Sequence, residues 1–226
     1  MISARGVTRA AVVAAMVLLA AMAGAASAGV IFQDPFDNGA SPLWNNERGQ
    51  WTASGGVYFA QQPANYPPTY SSLPFNLADL SIELDVNNIS DGGIWLRSDP
   101  DGNGVLLVTG GWQHTGTGLY WHIVHAFNAG PLLNEHAGLF QQGDNIHLRI
   151  EVQGDTYSAF LNGAASPATT LTTSEYSSGR VALYSFSSQS VDNVVLTPEP
   201  ATLSSPGRGG APSLPLVHRF SDDQRL

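Results

Sequence analysis

The chain has 226 residues, no cysteine and no lysine, and its formal net charge at neutral pH is −9. The lack of cysteine excludes disulfides, thiolate catalysis and cysteine-ligated metal sites. Residues 29–200 carry four arginines against sixteen acidic residues, a formal charge of −12. This charge disfavours binding to nucleic acid or anionic lipid, and it suits cations and neutral ligands such as sugars.

Residues 1–28 have the pattern of a secretory signal peptide. Two arginines precede an apolar run from residue 10 to about residue 23, and small residues follow, ending in Ala26-Ser27-Ala28. The run is shorter than the roughly 20 residues that a membrane-spanning helix needs, and the small residues fit cleavage before Gly29. We therefore predict an exported protein, secreted or held at the cell surface, with one domain over residues 29–197.

The predicted domain consists of short strands separated by glycine, proline, asparagine and aspartate. In chain order we predict strands at residues 30–32, 51–59 (broken by a glycine turn), 80–87, 93–98, 105–108, 118–125, 146–152, 156–161, 180–186 and 191–196. Residues 80–87 alternate apolar and polar side chains, so one face of this strand is core and the other faces water or a ligand. Because the domain shows no helical period, the pattern predicts an all-β, two-sheet sandwich.

Turn glycines and strand residues recur in four runs, Gly49 to Val57, Gly92 to Ser98, Ile150 to Gly163 and Ser178 to Val194. In these runs the chain resembles concanavalin A-like lectin and glucanase domains, which include laminin G-like modules and 3-keto-disaccharide hydrolase-like domains. The resemblance implies a two-sheet antiparallel jelly-roll sandwich. It leaves three functions open: a non-catalytic carbohydrate-binding module, a glycoside or keto-disaccharide hydrolase-like enzyme, and a structural protein-binding module without a small ligand.

Residues 197–203, Thr-Pro-Glu-Pro-Ala-Thr-Leu, resemble the start of the PEP-CTERM sorting signal of bacteria that export surface proteins. In that family an apolar helix and an arginine cluster follow the motif and hold the precursor until a sorting enzyme processes it. Here glycine and proline follow Leu203, with no apolar run long enough for a membrane. We therefore predict that residues 198–226 form a sorting-like motif and a low-complexity tail without a stable membrane anchor. A frameshift after Leu203 is our hypothesis for the tail, and a sorting enzyme is a partner only if the true terminus carries an anchor.

Glu83 and Asp85 alternate on a predicted strand that resembles the catalytic strand of laminarinase-type hydrolases. That resemblance implies a nucleophile at Glu83 and an orienting acid at Asp85. Retaining hydrolysis needs two carboxyl groups about 5 Å apart, and the place of the general acid is taken by Asn87 or Asn88. An amide has no titratable proton to donate, so the sequence favours a non-catalytic protein, with Glu83 and Asp85 as weak catalytic candidates.

The family resemblance also implies a structural Ca²⁺ where the first and last strands meet, bound by acids near both ends. Asp37 and Asp192 occupy these places, with Asp34 as a weaker candidate, and carboxylates with backbone carbonyls suit Ca²⁺. Further weak candidates come from the first half of an EF-hand-like loop, Asp99, Asp101 and Asn103. Because Gly110 stands where that loop needs a bidentate glutamate, a hairpin turn is the favoured interpretation there. The expected cofactor is therefore a structural calcium or none.

Aromatic residues in and beside loops are candidate platforms for sugars, whose apolar faces stack on rings. The predicted ligand contacts are Trp112 and His114 in a glycine-rich loop, Tyr120 and Trp121 on the next strand, and Arg97 as a hydrogen-bond donor. Tyr66, Tyr70 and Phe127 are further aromatics near loops, whereas Trp51 and Trp95 are assigned to the core. We expect a polysaccharide or extracellular-matrix partner and no nucleic acid.

Overall fold

The computed structural model describes residues 29–111 and 117–198. The predicted signal peptide and residues 199–226 of the tail lie outside this part, so both remain predictions. All regular secondary structure in the described ranges is β-strand, and they contain no helix able to span a bilayer. The strands are β1 Phe32–Asp34, β2 Trp51–Ser54, β3 Val57–Ala60, β4 Ser71–Ser72, β5 Leu80–Asn87, β6 Asp91–Ser98, β7 Gly104–Gly110, β8 Leu119–His125, β9 Asn128–Ala129, β10 Leu133–His136, β11 Ile146–Gln153, β12 Thr156–Leu161, β13 Thr169–Thr172, β14 Arg180–Ser185 and β15 Ser190–Pro198.

These strands form two antiparallel sheets. The first sheet has the order β13-β12-β11-β5-β15-β3-β2, with β1 also paired to β15. The second sheet has the order β10-β8-β7-β6-β14-β4, with β9 also paired to β8. The chain crosses repeatedly between the sheets, and its first and last strands lie side by side. This confirms the predicted two-sheet antiparallel jelly-roll sandwich.

The main core lies between the two sheets. Ile82 and Leu84 of β5 face Ile94 and Leu96 of β6 across one continuous cluster of buried apolar side chains. The predicted alternation of β5 is confirmed, because these apolar residues are buried while the intervening acids reach the surface of the first sheet. Burial of apolar surface drives this packing and contributes about 25 cal/mol per Å².

The second sheet is buried on its outer face as well. A separate apolar cluster lies there, consisting of Tyr70, Trp95, Leu106, Val108, Tyr120, Val124, Ala182 and Tyr184, with Phe127 and Leu132 packed against it. Trp95 was assigned correctly to a buried position, but it lies on this outer face and not between the sheets. The rings of Tyr70 and Phe127 pack edge-on against it, with centroids 5.7 and 6.1 Å away. The segments before β4 and after β8 therefore cover the outer face of the second sheet.

Replacing Leu84 with alanine should destabilise the protein by about 2–5 kcal/mol, because the side chain is fully buried and its removal leaves a cavity between the sheets. The matched control is Leu43→Ala, which removes the same atoms from a side chain that is 42% exposed and should cost much less. Urea unfolding of both variants measures the difference. Equal losses would contradict the assignment of Leu84 to the core.

Candidate functional site

A cleft with a volume of about 370 Å³ opens on the outer face of the second sheet. Its floor is formed by apolar side chains of β7, Leu106 and Val108, and its walls include Tyr120 of β8 and Tyr184 of β14. Residues 129–132, which follow β8 in the chain, close one side. We call this space the cleft.

Strand register brings the two tyrosines to the ends of one row. Tyr184 lies opposite Gly93, Gly93 opposite Val108, and Val108 opposite Tyr120. Residues paired in this way share a face of the sheet. A Cβ at Gly93 would lie 2.1 Å from the Leu107 carbonyl oxygen, so only glycine fits there. The row therefore carries no side chain next to Tyr184, which keeps the floor low between the two rings.

Polar groups converge at the Tyr184 end of the cleft. The Tyr184 hydroxyl donates to Asn65 Oδ1 (3.1 Å) and lies 3.4 Å from Asp91 Oδ1. Burial raises the pKa of Asp91, and the hydrogen bond from Tyr184 partly opposes this shift. Burial and the nearby Asp91 charge raise the pKa of both Tyr184 and Tyr120. Both hydroxyls therefore keep their protons at neutral pH, and the Tyr184 proton is held by Asn65 and Asp91.

His122 supplies a further polar group to the cleft wall. Its Nδ1 is 3.1 Å from the Pro131 carbonyl oxygen, and since a carbonyl only accepts, Nδ1 carries the hydrogen. Burial lowers the pKa of His122, against a smaller opposing effect of hydrogen bonds to backbone carbonyls. The ring is thus held in its neutral form, and Nε2 is a hydrogen-bond acceptor. The Tyr120 ring packs edge-on against it, with the centroids 5.3 Å apart.

A second cavity of about 280 Å³ adjoins the cleft and shares Asn65, Leu106 and Ala129 with it. Trp95 and Phe127 line this cavity, together with Tyr66, whose side chain is 90% exposed. The two spaces thus lie side by side on the outer face of the second sheet. An apolar floor with a few converging polar groups is typical of a small-molecule site, and it matches a ring that has an apolar face and hydroxyl edges.

The predicted ligand contacts do not all lie at the cleft. Tyr120 lines the cleft. Trp112 and His114 lie outside the described residues, and their assignment stays a prediction. Trp121 is contradicted: it is fully buried between the sheets, and its Nε1–H donates to Thr169 Oγ1 at 3.1 Å. Because neighbouring strand residues face opposite ways, the strand that presents Tyr120 to the cleft must turn Trp121 into the core.

Arg97 is also contradicted as a ligand contact, because its side chain is 2% exposed. Its guanidinium donates to the backbone carbonyls of Ala78 (2.8 Å), Tyr176 (2.8 Å) and Gly154 (2.6 Å). It also lies 3.3 Å from Asp79 Oδ1, its ion-pair partner. The guanidinium therefore links three loops at one end of the sandwich and has no free donor pointing at a sugar site.

Glu83 and Asp85 lie on the outer face of the first sheet, across the sandwich from the cleft. His147 Nδ1 is 2.8 Å from Asp85 Oδ1, and His147 Nε2 is 3.6 Å from Glu83 Oε2. Asn193 Nδ2 donates to Asp85 Oδ2 at 2.9 Å. These weak catalytic candidates therefore share one polar surface, with side chains roughly 40% exposed, and do not contribute to the cleft.

Two of the predicted calcium ligands already accept hydrogen bonds from the protein. Both carboxylate oxygens of Asp34 already accept hydrogen bonds, from the backbone N–H groups of Phe36 and Ser41 and from Trp44 Nε1. Asp192 Oδ1 accepts from the next backbone N–H. No group of three or more His, Asp or Glu side chains suited to a metal occurs among residues 29–111 and 117–198. A calcium site that uses Asp37 and Asp192 together with backbone carbonyls stays a prediction.

The loop that contains Asp99, Asp101 and Asn103 joins β6 to β7, which confirms the hairpin interpretation. Asp99 Oδ1 accepts from the Asn103 backbone N–H (3.0 Å), and Asp99 Oδ2 accepts from the Asn103 amide (2.9 Å). Asn103 Oδ1 accepts from the Ala126 backbone N–H at 3.0 Å. These oxygens close the turn and hold it against the segment that follows β8.

Four residues of the cleft were not predicted as ligand contacts: Asn65, Asp91, His122 and Tyr184. The sequence indicates the orientation of two of them. Val181 and Leu183 share the core face of their strand, so Tyr184 points to the opposite face. His122 likewise lies opposite the face of Leu119 and Trp121. Asn65 and Asp91 carry no such signal, since a loop and a strand end meet there only through the fold.

No family model and no curated protein matches the sequence. Solved structures share its fold. The carbohydrate-binding module CBM66 from Bacillus subtilis has a TM-score of 0.52 and 16% identity, over 69% of this chain and 91% of that chain. The exoplasmic/lumenal domain of VIP36, in a Ca²⁺/Man3GlcNAc-bound form, has a TM-score of 0.53 and 8% identity, over 73% and 86%.

A β-glucanase from Bacillus licheniformis has a TM-score of 0.51 and 10% identity, over 77% of this chain and all 100% of that chain. Identities this low show the fold alone. The described part of the chain has the concanavalin A-like jelly-roll fold that lectins, carbohydrate-binding modules and glucanases share.

Replacing Arg97 with alanine should cost about 3–5 kcal/mol of stability, because it removes a buried charge and leaves its carbonyl and carboxylate partners unpaired. The control is Arg149→Ala on the outer face of the first sheet, where the side chain is 25% exposed and pairs with Glu151; this should cost about 1 kcal/mol or less. Thermal unfolding of both variants measures the losses. A small loss for Arg97→Ala would contradict its role as a link between loops.

The free energy of unfolding should also depend on the protonation of His122. It should fall as the pH drops below about 6.5, the ordinary pKa of histidine. Because burial lowers the pKa of folded His122, its contribution is fully present above the unfolded value and is lost as the pH falls through the folded value. His122→Gln should therefore flatten the unfolding free energy between about pH 8 and about pH 5. The matched control, His125→Gln, changes a histidine that is 60% exposed. An equal slope in wild type and His122→Gln would contradict the assignment.

Proposed function

We propose that this protein is a non-catalytic carbohydrate-binding domain and that the cleft on the second sheet is its binding site. The observation that carries the proposal is the row with Tyr184 and Tyr120 at its ends, above an apolar floor and beside Asn65, Asp91 and His122. A sugar ring placed there meets apolar surface with its face and polar groups with its edge.

The polar groups of the cleft complement sugar hydroxyls, which both donate and accept hydrogen bonds. Ionised Asp91 and neutral His122 accept, the Tyr184 oxygen accepts while its proton is held by Asn65 and Asp91, and the Asn65 amide does both. A hydrogen bond to a charged group contributes more than one between neutral groups, about 1.5–3 kcal/mol. Asp91 is therefore expected to anchor the ligand by accepting from its hydroxyls.

Charge favours a neutral saccharide over an acidic one. Asp91 is the ionisable acid that lines the cleft, and residues 29–200 as a whole are strongly negative. A carboxylated or sulfated sugar would meet repulsion both at the site and on approach. We therefore infer a neutral polysaccharide as the ligand class.

The structural comparisons support this class of ligand. One similar structure is itself a carbohydrate-binding module, and another contains Man3GlcNAc. The signal-peptide pattern of residues 1–28 supports an extracellular setting, where polysaccharide of the cell surface or matrix is the available partner. In this proposal the protein is exported and attaches to such material.

The hydrolase alternative would use Glu83 and Asp85. Their surface lies across the sandwich from the cleft, so a sugar held in the cleft does not reach them. The geometry therefore favours binding over hydrolysis. Turnover of a saccharide that is lost in both Glu83→Gln and Asp85→Asn would reverse this preference.

An array of neutral and acidic glycans should show binding to neutral glycans. Tyr184→Phe should weaken binding about two- to tenfold, because it removes a hydroxyl that orients Asn65 and Asp91 and whose oxygen accepts from the ligand. Arg149→Ala, on the opposite side of the sandwich, is the control and should bind as wild type. Isothermal titration calorimetry with the neutral glycan that binds best gives the affinities. An array without binding, or equal affinities in wild type and Tyr184→Phe, would show the proposal to be wrong.

A further inference from the structure

Asp91 is a partly buried carboxylate that no protein cation balances. In the part of the chain that the structure describes, no lysine or arginine lines the cleft, and Asp91 forms no ion pair. His122, the basic side chain that does line the cleft, is held in its neutral form because burial lowers its pKa. A charge removed from water is costly unless it is paired. The cleft therefore holds a negative charge whose partner is missing.

One oxygen of Asp91 is open to a ligand. Asp91 Oδ1 lies 3.4 Å from the Tyr184 hydroxyl, whose proton it shares with Asn65. Asp91 Oδ2 accepts from no donor among residues 29–111 and 117–198, yet it keeps accessible surface and is not sealed inside the protein. The Tyr184 oxygen is a second acceptor at this end of the cleft, because its own proton is engaged. A ligand thus meets two neighbouring acceptors there, and one of them is charged.

The surroundings of Asp91 strengthen an ion pair made at this point. The side chains of Tyr184 and Tyr120 are 4% and 8% exposed, so water is excluded from much of the cleft wall. Besides burial, the charges of Asp91 and Glu135 raise the pKa of Tyr120, which indicates a negative potential across the cleft. Attraction between opposite charges is stronger in such a partly dry setting than in bulk water. A positive group beside Asp91 is therefore favoured.

An ammonium group complements this end of the cleft better than a hydroxyl does. It has three N–H donors, no acceptor and a full positive charge. It can donate to Asp91 Oδ2 and to the Tyr184 oxygen while it neutralises the carboxylate, and hydrogen bonds assisted by charge are about twice as strong as neutral ones. An acetamido group would instead remove the charge and bring a carbonyl oxygen towards the carboxylate. The geometry therefore distinguishes a free amino group from its acetylated form.

We infer that the sugar unit held in the cleft is a hexosamine whose protonated amino group pairs with Asp91. This inference rests on the proposed function and narrows it, because the rest of the saccharide stays neutral. The strong negative charge of residues 29–200 is consistent with it, since such a surface attracts a cationic ligand on approach.

The probes are glucose, galactose and mannose, each with a hydroxyl, an acetamido or an amino group at carbon 2. Titration of the wild-type protein, followed by ¹H–¹⁵N NMR at neutral pH, gives their affinities. The hexosamine that binds best should bind about five- to twentyfold more tightly than both of its neutral counterparts. Because this comparison changes only the ligand, it does not depend on the folding of any variant.

Asp91→Asn tests the assigned partner. The amide has nearly the shape of the carboxylate but no charge, so the preference for the hexosamine should fall to about twofold or less. The matched control is Asp155→Asn, which removes the same charge from an exposed residue in the turn between β11 and β12 and should keep the wild-type preference. Equal effects of the two variants would mean that the overall negative charge attracts the amine, and the inference would be wrong.

The outcomes separate this inference from the proposed function. If hexosamines bind no more tightly than their neutral counterparts, while Tyr184→Phe weakens binding of a neutral glycan, the pairing with Asp91 is wrong and carbohydrate binding in the cleft stands. A preference that survives in Asp91→Asn has the same meaning. If no probe binds and the glycan array is empty, both are wrong.

Discussion

Burial of the second sheet on both faces is the constraint on which the rest of this structure depends. Alternate side chains of β6, β7, β8 and β14 pack into the core between the sheets, and the intervening ones meet a second apolar cluster outside. The outer face of the second sheet is apolar, and loops cover only part of it. The uncovered part is a depression with aromatic side chains at its edge. The same packing that stabilises the sandwich thus creates the cleft and its neighbouring cavity.

The two outer faces of the sandwich carry different kinds of side chain. The first sheet presents polar, titratable side chains to solvent, where Glu83, Asp85 and His147 lie together. The second sheet presents the tyrosines and the few polar groups that line the cleft. Charged groups that remain solvated bind neutral ligands weakly, whereas a partly dry surface strengthens each hydrogen bond made on it. Recognition of a neutral sugar is therefore expected on the second sheet.

Arg97 shows how a hydrogen-bonding residue can be mistaken for a ligand contact. Its sequence surroundings, an aromatic strand next to a polar loop, are equally typical of a binding site and of a buried link. The carbonyls that it binds belong to Ala78, Gly154 and Tyr176, which are far apart in the chain. Since no local pattern indicates that these loops meet, the role of the guanidinium could not be predicted.

The sequence by itself determined the two-residue period, the turns and hence the all-β sandwich, because those depend on interactions between near neighbours. It also indicated the polar outer face of β5 and the hairpin at Asp99. Only the tertiary structure decided which of Tyr120 and Trp121 faces the cleft, and that Asn65, Asp91 and Tyr184 meet there. The physical reason is that the alternation of side chains along a strand determines which residues share a face, but not which of the two faces is covered. Loop residues, in turn, acquire their partners only when distant strands pair.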